Sequence, residues 1–193
     1  MIYDKTIYGR YVDIRSASLG DAEQTLKLRQ DSQKTIFLHQ LDNEIDKQKR
    51  WLKNQIEKTG DYFFVILDKQ NEIIGTIGIY DIEGKKGQSG RLLSYGNSVQ
   101  SFEGMLLAVR FALDYLVLDE LWGDVDARNT TALEFNKMFG FRFDKLVYDS
   151  ELNRQVHHGT LYKSVFENYA RKIERFIYRN QSRPILPWEV NEK

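Results

Sequence analysis

The chain has 193 residues, in which 28 lysines and arginines balance 28 aspartates and glutamates. Such a length fits one compact domain with a small appendage. Because binding to nucleic acid or to an anionic membrane needs a basic excess, the balanced charge argues against both as partners. The chain contains no cysteine and only three histidines, so we expect no disulfide, no thiol nucleophile and no metal site.

The sequence pattern shows neither a secretory signal nor a membrane span. The most apolar stretch, residues 105–118, is interrupted by Arg110 and Asp114 and is too short to cross a bilayer. The amino-terminal segment MIYDKTIYGR lacks the apolar core of a signal peptide. We therefore expect a cytoplasmic protein.

Alternating and β-branched segments in the first half of the chain predict strands around two helices. The predicted strands are residues 11–17, 61–67, 73–80 and 90–95. The first helix begins within Ser18–Asp21 and the second at Asp42 or Asn43, since these residue types cap helices well. A short polar turn joins the strands at 61–67 and 73–80, which predicts an antiparallel hairpin.

The second half predicts a buried helix between two strands that run parallel. Residues 101–116 are apolar on most faces, so this helix should lie between the sheet and another layer. A connection of about 25 residues is too long for a hairpin, so the strand at 120–127 should lie parallel to the strand at 90–95. Asn129 then caps a short helix that ends at Gly140. A closing hairpin follows, with strands at 141–148 and 156–162.

The final helix has one apolar face, formed by Phe166, Tyr169, Ile173 and Phe176. This face needs an apolar partner, either its own sheet or a second subunit, so a homodimer stays open. The order of elements predicts an α/β (α+β) fold with a mixed, mostly antiparallel sheet and a parallel pair in its middle. We expect a globular domain at residues 1–163, followed by the amphipathic helix and tail at residues 164–193.

Residues 114–141 read DYLVLDELWGDVDARNTTALEFNKMFGF and resemble the second half of the acyl-CoA-binding core of GNAT-family N-acetyltransferases. In that family a helix leads to a strand, an asparagine and a short helix that ends in Gly-Phe. The corresponding positions here are Asn129, Ala132, Phe135, Gly140 and Phe141. Earlier segments, LRQD, KQKRWL, DYFFVI and EIIGTIGIYDI, resemble the amino-terminal half of nucleotide-sugar acetyltransferases. The resemblance spans about residues 11–163 and is nearest the branch of ribosomal-protein and bacterial nucleotide-amino-sugar acetyltransferases.

The resemblance implies a GNAT-like sheet whose two central parallel strands splay apart. The gap between them would admit the pantetheine arm of acetyl-CoA, the co-substrate. Backbone groups of Leu93, Ser94 and Tyr95 would pair with the pantetheine amides, and Asn129 would hydrogen-bond the same arm. A role of Asn129 as a helix N-cap is equally open, and the two roles are compatible.

The loop implied for the pyrophosphate departs from the family pattern. The family has Gln/Arg-x-x-Gly-x-Gly/Ala before the central helix, whereas residues 95–104 read YGNSVQSFEG. A pyrophosphate still needs amides at a helix N-terminus, where the dipole favours anions. The residues placed against it are Asn97, Ser98, Val99, Gln100 and Ser101. The alternative is a loop that only caps the helix through Ser101, and Glu103 suits a phosphate site only if its side chain points away.

The departing CoA thiolate must gain a proton. Many family members place a tyrosine seven residues after the asparagine, and this chain has Asn136 there. An amide cannot release a proton near neutral pH, so the catalytic role implied for Asn136 is only to stabilise the thiolate. Water, Tyr95 or Tyr148 would then supply the proton, although each tyrosine is also explained as a packed sheet residue.

The acceptor side offers weaker signals. Candidates for the base are His157, His158, Asp81 and Glu83, and solvent alone is another. Histidine accepts protons near neutrality, and adjacent strand residues face opposite sides, so one of the two histidines should face the cleft or the core; we choose His157. The resemblance places Arg29 and His39 where the family's first two helices and their connection cover the acceptor, and Asp81 is a third residue expected to contact it. Arg29 would form charge-assisted bonds to a diphosphate. Each of these side chains is also explained as an ordinary surface or structural residue.

We therefore expect an acetyl-CoA-dependent N-acetyltransferase that works by direct attack of an amine on the thioester. The preferred acceptor is a small molecule, the amino group of a nucleotide-linked amino-deoxysugar. One alternative is an acetyltransferase for protein N-termini, which would need an open groove rather than a pocket. Another is a non-catalytic acyl-CoA-binding protein, which the altered loop and the missing tyrosine keep open.

Overall fold

The computed structural model describes residues 1–31, 35–38, 42–150, 153–179 and 181–190. Its strands are β1 (Ile7–Tyr8), β2 (Asp13–Ser16), β3 (Tyr62–Leu67), β4 (Ile73–Glu83), β5 (Lys86–Ser94), β6 (Glu120–Asp126), β7 (Arg142–Asp149) and β8 (Arg154–Tyr162). Its helices are α1 (Ala22–Arg29), α2 (Ile45–Glu57), α3 (Ser98–Arg110), α4 (Thr130–Met138) and α5 (Lys163–Tyr178). A short 3₁₀ turn, Leu19–Asp21, precedes α1, and one π-helical turn, Phe111–Tyr115, extends α3.

The strands form one eight-stranded sheet in the order β1-β2-β3-β4-β5-β6-β8-β7. Neighbouring strands are antiparallel except for β5 and β6, which run parallel. The connection between these two contains α3, because parallel neighbours need a long crossover. The predicted mixed, mostly antiparallel α/β (α+β) fold with a central parallel pair is confirmed, and α5 is the predicted C-terminal amphipathic helix.

Helices cover both faces of the sheet. On one side, the α1–α2 face, Leu52 of α2 packs with Phe63, Val65 and Leu67 of β3. On the other side, the α3–α5 face, α3 and α5 pack in the larger core cluster together with β3, β4 and β6. Every residue of β3 is buried because its alternating side chains meet helices on both faces. Among the helices of the described residues, none is both long and apolar enough to span a bilayer.

The start of α3 is set by a reciprocal cap. Asn97 Oδ1 accepts a hydrogen bond from the Gln100 amide at 3.0 Å, and Gln100 Oε1 accepts one from the Asn97 amide at 2.9 Å. The helix therefore begins at Ser98, earlier than predicted, because this capping box satisfies two amides that a helix terminus leaves unpaired. The capping residue is thus Asn97 rather than Ser101, and whether the loop does more than cap the helix stays a prediction.

Two other predicted boundaries differ from the structure. Strand β5 begins at Lys86 rather than at residue 90, because its hairpin with β4 closes at the Glu83↔Lys86 pair. Helix α2 begins after Glu44, which makes no side-chain cap. Sequence patterns locate the existence of such elements more reliably than their ends, since the ends depend on pairing with distant strands.

The apolar face of α5 packs within its own chain. Its buried residues are Phe166, Ala170, Ile173, Ile177 and Tyr178. Arg110, buried in α3, ties the two helices together through Glu167 at 3.0 Å and Glu174 at 2.7 Å. Phe176, which the periodicity placed in this face, lies at its exposed edge. The rest of the chain thus covers most of the apolar face of α5. The domain boundary after residue 163 and the homodimer stay predictions.

Glu103 in α3 anchors the turn between β1 and β2. Its side chain is fully buried and accepts hydrogen bonds from the amides of Arg10 at 2.8 Å, Tyr11 at 2.6 Å and Val12 at 2.9 Å. A buried carboxylate is tolerated when several donors replace its hydration. The Glu103 carboxylate is therefore held by the backbone of the β1–β2 turn.

We predict that Glu103→Gln destabilises the protein by about 2 kcal/mol, because a buried amide N–H₂ would face backbone N–H donors. Urea unfolding followed by circular dichroism measures this difference. The control is Glu134→Gln, whose carboxylate is 65% exposed beside Lys137 and should change stability by less than about 0.5 kcal/mol. Equal losses in both variants would contradict the anchoring role.

Candidate functional site

The parallel strands β5 and β6 are paired at one end only. The pairs that join them are Lys86↔Glu120, Gly87↔Leu121 and Gln88↔Trp122. Beyond these the strands continue to Ser94 and Asp126, and no pair joins them along the described residues. Backbone groups on the two facing edges therefore border a space, which we call the gap. The central splayed pair that the resemblance implied is confirmed.

A β-bulge in β5 accompanies this divergence. Between Gly90 and Leu93 the pairing with β4 shifts, and Arg91 adopts a φ of 55°, a left-handed conformation that is unfavourable for a residue with a side chain. The Arg91 guanidinium donates to both carboxylate oxygens of Asp61, at 2.6 and 2.9 Å, and lies 3.9 Å from the centre of the Tyr80 ring. Because a bulge bends its strand, this clamp on the α1–α2 face holds β5 turned away from β6.

Two glycines allow close approach at the narrow end of the gap. A Cβ atom at Gly123 would lie 2.8 Å from the Ser89 carbonyl oxygen, and one at Gly90 would overlap the Tyr80 hydroxyl. The narrow end is therefore built from strand backbone and the Tyr80 ring. Burial raises the pKa of Tyr80 to about 12, so its hydroxyl keeps its proton near neutral pH.

A cavity of about 400 Å³ opens from the gap, within the size range of small-ligand sites. The residues implied for cofactor binding that line it are Leu93, Ser94, Ser101 and Asn129. Asn136, implied for the thiolate, also lines it. The hydroxyl oxygens of Ser94 and Ser101 lie 2.7 Å apart, which ties the end of β5 to the first turn of α3. The structure thus brings candidate residues from separate segments of the chain together in one cavity wall.

The two asparagines of this wall are fixed by α4. Asn129 Oδ1 accepts from the Ala132 amide at 3.0 Å, so the predicted N-cap role is present. Asn136 Nδ2 donates to the Ala132 carbonyl oxygen at 2.8 Å. Each side chain makes one such bond, and a carboxamide offers two N–H groups and an oxygen with two lone pairs. Both therefore retain hydrogen-bonding capacity toward the cavity, and their ligand roles stay predictions.

The start of α3 lies beside the cavity rather than in its wall. The Tyr95 amide donates to the Ile74 carbonyl oxygen of β4 at 2.7 Å, and the Tyr95 hydroxyl donates to the Leu28 carbonyl oxygen at 2.8 Å. Gln100 is occupied by the cap described above. The amides of Ser98 and Val99 belong to the first turn, where a helix supplies no partner. They are the backbone donors that this segment offers to an anion.

A buried carboxylate sits at the wide end of the gap, on the α1–α2 face. The side chain of Asp126 is 1% exposed and accepts from Arg128 at 2.8 and 2.9 Å and from Arg154 at 3.3 Å. The Arg128 guanidinium holds the pKa of Asp126 at about 2, so the carboxylate is ionised at neutral pH. Arg154 lines the cavity and also donates to the Phe37 carbonyl oxygen. This end of the gap carries two guanidinium groups against one carboxylate.

The neighbouring histidines of β8 face opposite sides of the sheet, as predicted. His158 pairs in register with Asp124 of β6, and its Nδ1 lies 2.7 Å from Asp124 Oδ1. The Trp122 ring flanks His158, with centres 5.6 Å apart. His157 lies beside Val125 on the other face, and neither histidine is itself part of the cavity wall. We prefer His158 over His157 because its side chain contacts a carboxylate, Asp124, that lines the cavity.

Other candidates from the sequence lie apart from the cavity wall. Burial lowers the pKa of Arg29, but this residue does not line the cavity. Asp81, with a φ of 48°, forms an exposed ion pair with Lys58 at 3.0 Å. The exposed Tyr148 bonds Asn153 within the β7–β8 hairpin. His39 lies outside the described residues.

Several site residues escaped the sequence reasoning. Arg91, Asp124 and Arg154 carry no local signal, because their partners are distant in the chain. Gly123 carried one, since a glycine inside a strand indicates close backbone approach. Across the described ranges, no cluster of three or more histidine, aspartate or glutamate side chains could hold a metal ion.

Comparisons with known proteins agree with this geometry. Among solved structures, apo FdhC, described as a nucleotide-linked sugar GNAT, is 18% identical, with a TM-score of 0.75 over 91% of this chain and 99% of FdhC. RimJ of Mycobacterium smegmatis, in complex with CoA-disulfide, is 13% identical, with a TM-score of 0.77 over 92% of this chain and 96% of RimJ. Spermidine N-acetyltransferase of Vibrio cholerae, with CoA and spermine, is 15% identical, with a TM-score of 0.72 over 82% and 99% of the two chains.

These identities show a shared fold and nothing finer. No curated protein matches the sequence significantly. The family profile described as acetyltransferase (GNAT) domain matches residues 12–142, which is more than half of the chain. The matched range includes the splayed strands, the bulge and all of the cavity wall except Phe143 and Arg154. The chain therefore belongs to the GNAT family of N-acetyltransferases.

Proposed function

We propose that the protein transfers the acetyl group of acetyl-CoA to the amine of an anionic small molecule, with a nucleotide-linked amino-deoxysugar as the preferred acceptor. The observation that carries the first part is the gap, in which β5 and β6 are paired only as far as Gln88 and Trp122. The observation that supports the second part is the pair of arginines at the wide end of the gap.

The residues around the gap fit acetyl-CoA as the acyl donor. The exposed strand edges between Ser89 and Ser94 offer backbone groups to the pantetheine amides, and the side-chain-free position at Gly123 leaves room for a thin chain. The first turn of α3 offers amides to the pyrophosphate. Acetyl-CoA supplies an activated acyl carbon, and Asn136, which lines the cavity, would donate an N–H to the sulfur as the C–S bond breaks.

The wide end of the gap suits an anionic acceptor. The Arg154 Nε atom is buried and has no hydrogen-bond partner among the described residues, and Arg128 is 71% exposed above the buried Asp126. Since Asp126 neutralises only one guanidinium, a diphosphate would complete the charge balance through charge-assisted hydrogen bonds. A polycation such as the spermine bound to the Vibrio enzyme would meet two like charges here.

Aromatic side chains frame the same side of the gap. Phe37, which lines the cavity, lies 5.7 Å below the Arg128 guanidinium, and Trp122 flanks His158 from β6. Flat surfaces of this kind stack well on a nucleotide base. Their arrangement favours a nucleotide-linked sugar over a peptide N-terminus.

The first experiment is calorimetry with acetyl-CoA, followed by a free-thiol release assay across acceptors. The acceptors are uridine- and thymidine-diphosphate amino sugars, the free amino sugars, spermidine and peptides with free N-termini. We expect turnover with the nucleotide-linked sugars. Turnover only with peptides would refute the acceptor, and acetyl-CoA binding without turnover of any amine would leave a binding protein. Absence of binding at millimolar acetyl-CoA would refute the whole proposal.

The variant Gly123→Ala should weaken acetyl-CoA binding by about tenfold or more, because its methyl group would lie 2.8 Å from the Ser89 carbonyl oxygen at the apex of the gap. Calorimetry measures the dissociation constant. Gly20→Ala is the matched control, since its methyl group would meet only Ser18 Oγ at 3.5 Å. Unchanged affinity in Gly123→Ala would place the pantetheine elsewhere.

For Asn136→Ala we predict slower turnover with little change in acetyl-CoA affinity. The lost N–H stabilises the thiolate only as charge develops on sulfur, and such a donor is worth about 1–3 kcal/mol. Steady-state kinetics and calorimetry separate the two effects. A wild-type rate would show that Asn136 has no part in stabilising the leaving group.

The Asp126 ion pairs should give a defined pH dependence of stability. The pKa of Asp126 is lowered to about 2, against about 3.9 for a free aspartate. The stabilisation is therefore complete above about pH 5 and fades as the pH falls through about 2. Urea unfolding should show Asp126→Asn about 2 kcal/mol less stable at pH 7, with the difference shrinking below about pH 4. Asp119→Asn, whose partner Lys85 is also exposed, should show no such trend.

A further inference from the structure

We propose that His158, held by Asp124, is the general base that takes a proton from the acceptor amine. The inference rests on the proposed function and names the proton acceptor at the same site. It replaces the choice of His157, which lies on the other face of β8.

The position of the pair follows from the sheet register. Gln88↔Trp122 is the last pair that joins β5 to β6, so Asp124 follows immediately after the strands separate and lines the cavity. His158 is the cross-strand partner of Asp124, so both side chains project from the α1–α2 face. The acetyl group of a donor lying in the gap would reach this same narrow end.

Tyr80 marks the opposite side of the narrow end. Its hydroxyl lies over Gly90 of β5, and Asp124 is close enough to add to the effect of burial on the pKa of Tyr80. The Tyr80 hydroxyl and the His158–Asp124 pair therefore flank the apex of the gap, one from β4 and the other from β6 and β8. An amine that approaches from the α1–α2 face enters between them.

The hydrogen bond to Asp124 selects the reactive nitrogen of the imidazole. A carboxylate only accepts hydrogen bonds, so Nδ1 carries the proton in the 2.7 Å contact and Nε2 presents its lone pair. The side chains are 31% and 34% exposed, so a substrate reaches the pair without a change in fold. A base oriented by a third group is the arrangement that activates a weak nucleophile.

The charged and titratable groups around His158 come from four strands. Asp124 lies on β6, and Lys145 of β7 is the register partner of His158. Arg91 of β5, which lies over the Tyr80 ring of β4, lines the same cavity as Asp124. The arginines that hold Asp126 lie farther along β6, toward the wide end. The charges of these groups affect the protonation of His158 and therefore the pH dependence of kcat/KM.

The reaction balances as follows. The acceptor ammonium gives one proton to His158 Nε2, and the amine lone pair forms a bond to the acetyl carbonyl carbon. The C–S bond breaks, the nitrogen loses its second proton, and the CoA thiolate gains one proton. The products are the N-acetylated acceptor and CoA–SH, and the imidazolium releases the remaining proton to solvent.

The test compares His158→Gln and Asp124→Asn with the wild type, using acetyl-CoA and a nucleotide-diphosphate amino sugar. We expect His158→Gln to lower kcat on the order of 100-fold, with acetyl-CoA affinity within about twofold and an unchanged unfolding midpoint. The acidic limb of the kcat/KM profile, which reports the base of the free enzyme, should disappear. Asp124→Asn, as a change in a positioning residue, should lower kcat less and shift that limb. Asp119→Asn serves as the aspartate control.

Two outcomes would overturn the assignment while leaving the proposed function intact. One is a His158→Gln enzyme with wild-type rate and an unchanged acidic limb, above all if His157→Gln alone loses activity. The other comes from ¹⁵N NMR of the resting protein, which needs no acceptor: a His158 with its proton on Nε2 is incompatible with the proposal. Absence of acetyl-CoA binding or of turnover by the wild type would instead refute the proposed function and the base together.

Discussion

The early end of pairing between β5 and β6 is the constraint on which the rest of the site depends. Two neighbouring parallel strands normally form backbone hydrogen bonds with each other along their whole length, because unpaired buried backbone groups cost free energy. Here Arg91 is held in a left-handed bulge by Asp61 and Tyr80, and the strand beyond it turns away from its neighbour. The ion pair between Arg91 and Asp61 on one face of the sheet thus maintains the gap between β5 and β6.

The sheet separates two tasks between its faces. The α3–α5 face contributes the capped helix start and the asparagines of α4, which suit the CoA moiety. The α1–α2 face contributes the arginines around Asp126 and the pair His158–Asp124, which suit an anionic amine. In the proposed reaction, donor and acceptor would meet through the gap between these two faces.

The sequence allowed prediction of features that depend on local chemistry or on chain length. Asn129 as an N-cap and the parallel arrangement across the α3 crossover are of this kind. The bulge at Arg91 and the contact of Arg154 with Asp126 could not be predicted, because the Arg91–Asp61 and Arg154–Asp126 partners are 30 and 28 residues apart in the chain. The choice between His157 and His158 needed the strand register, which a single sequence does not supply. Alternation alone placed them on opposite faces without saying which face borders the gap.

The contact between Tyr80 and Gly90 has an evolutionary consequence. The ring occupies the volume that any larger residue at position 90 would need, so the two sites are coupled through shared space rather than through a bond. Among diverging descendants of this gene, a side chain gained at 90 would have to be preceded or compensated by a smaller residue at 80. Correlated substitution at positions 80 and 90 would therefore record changes in the shape of the narrow end of the gap during evolution.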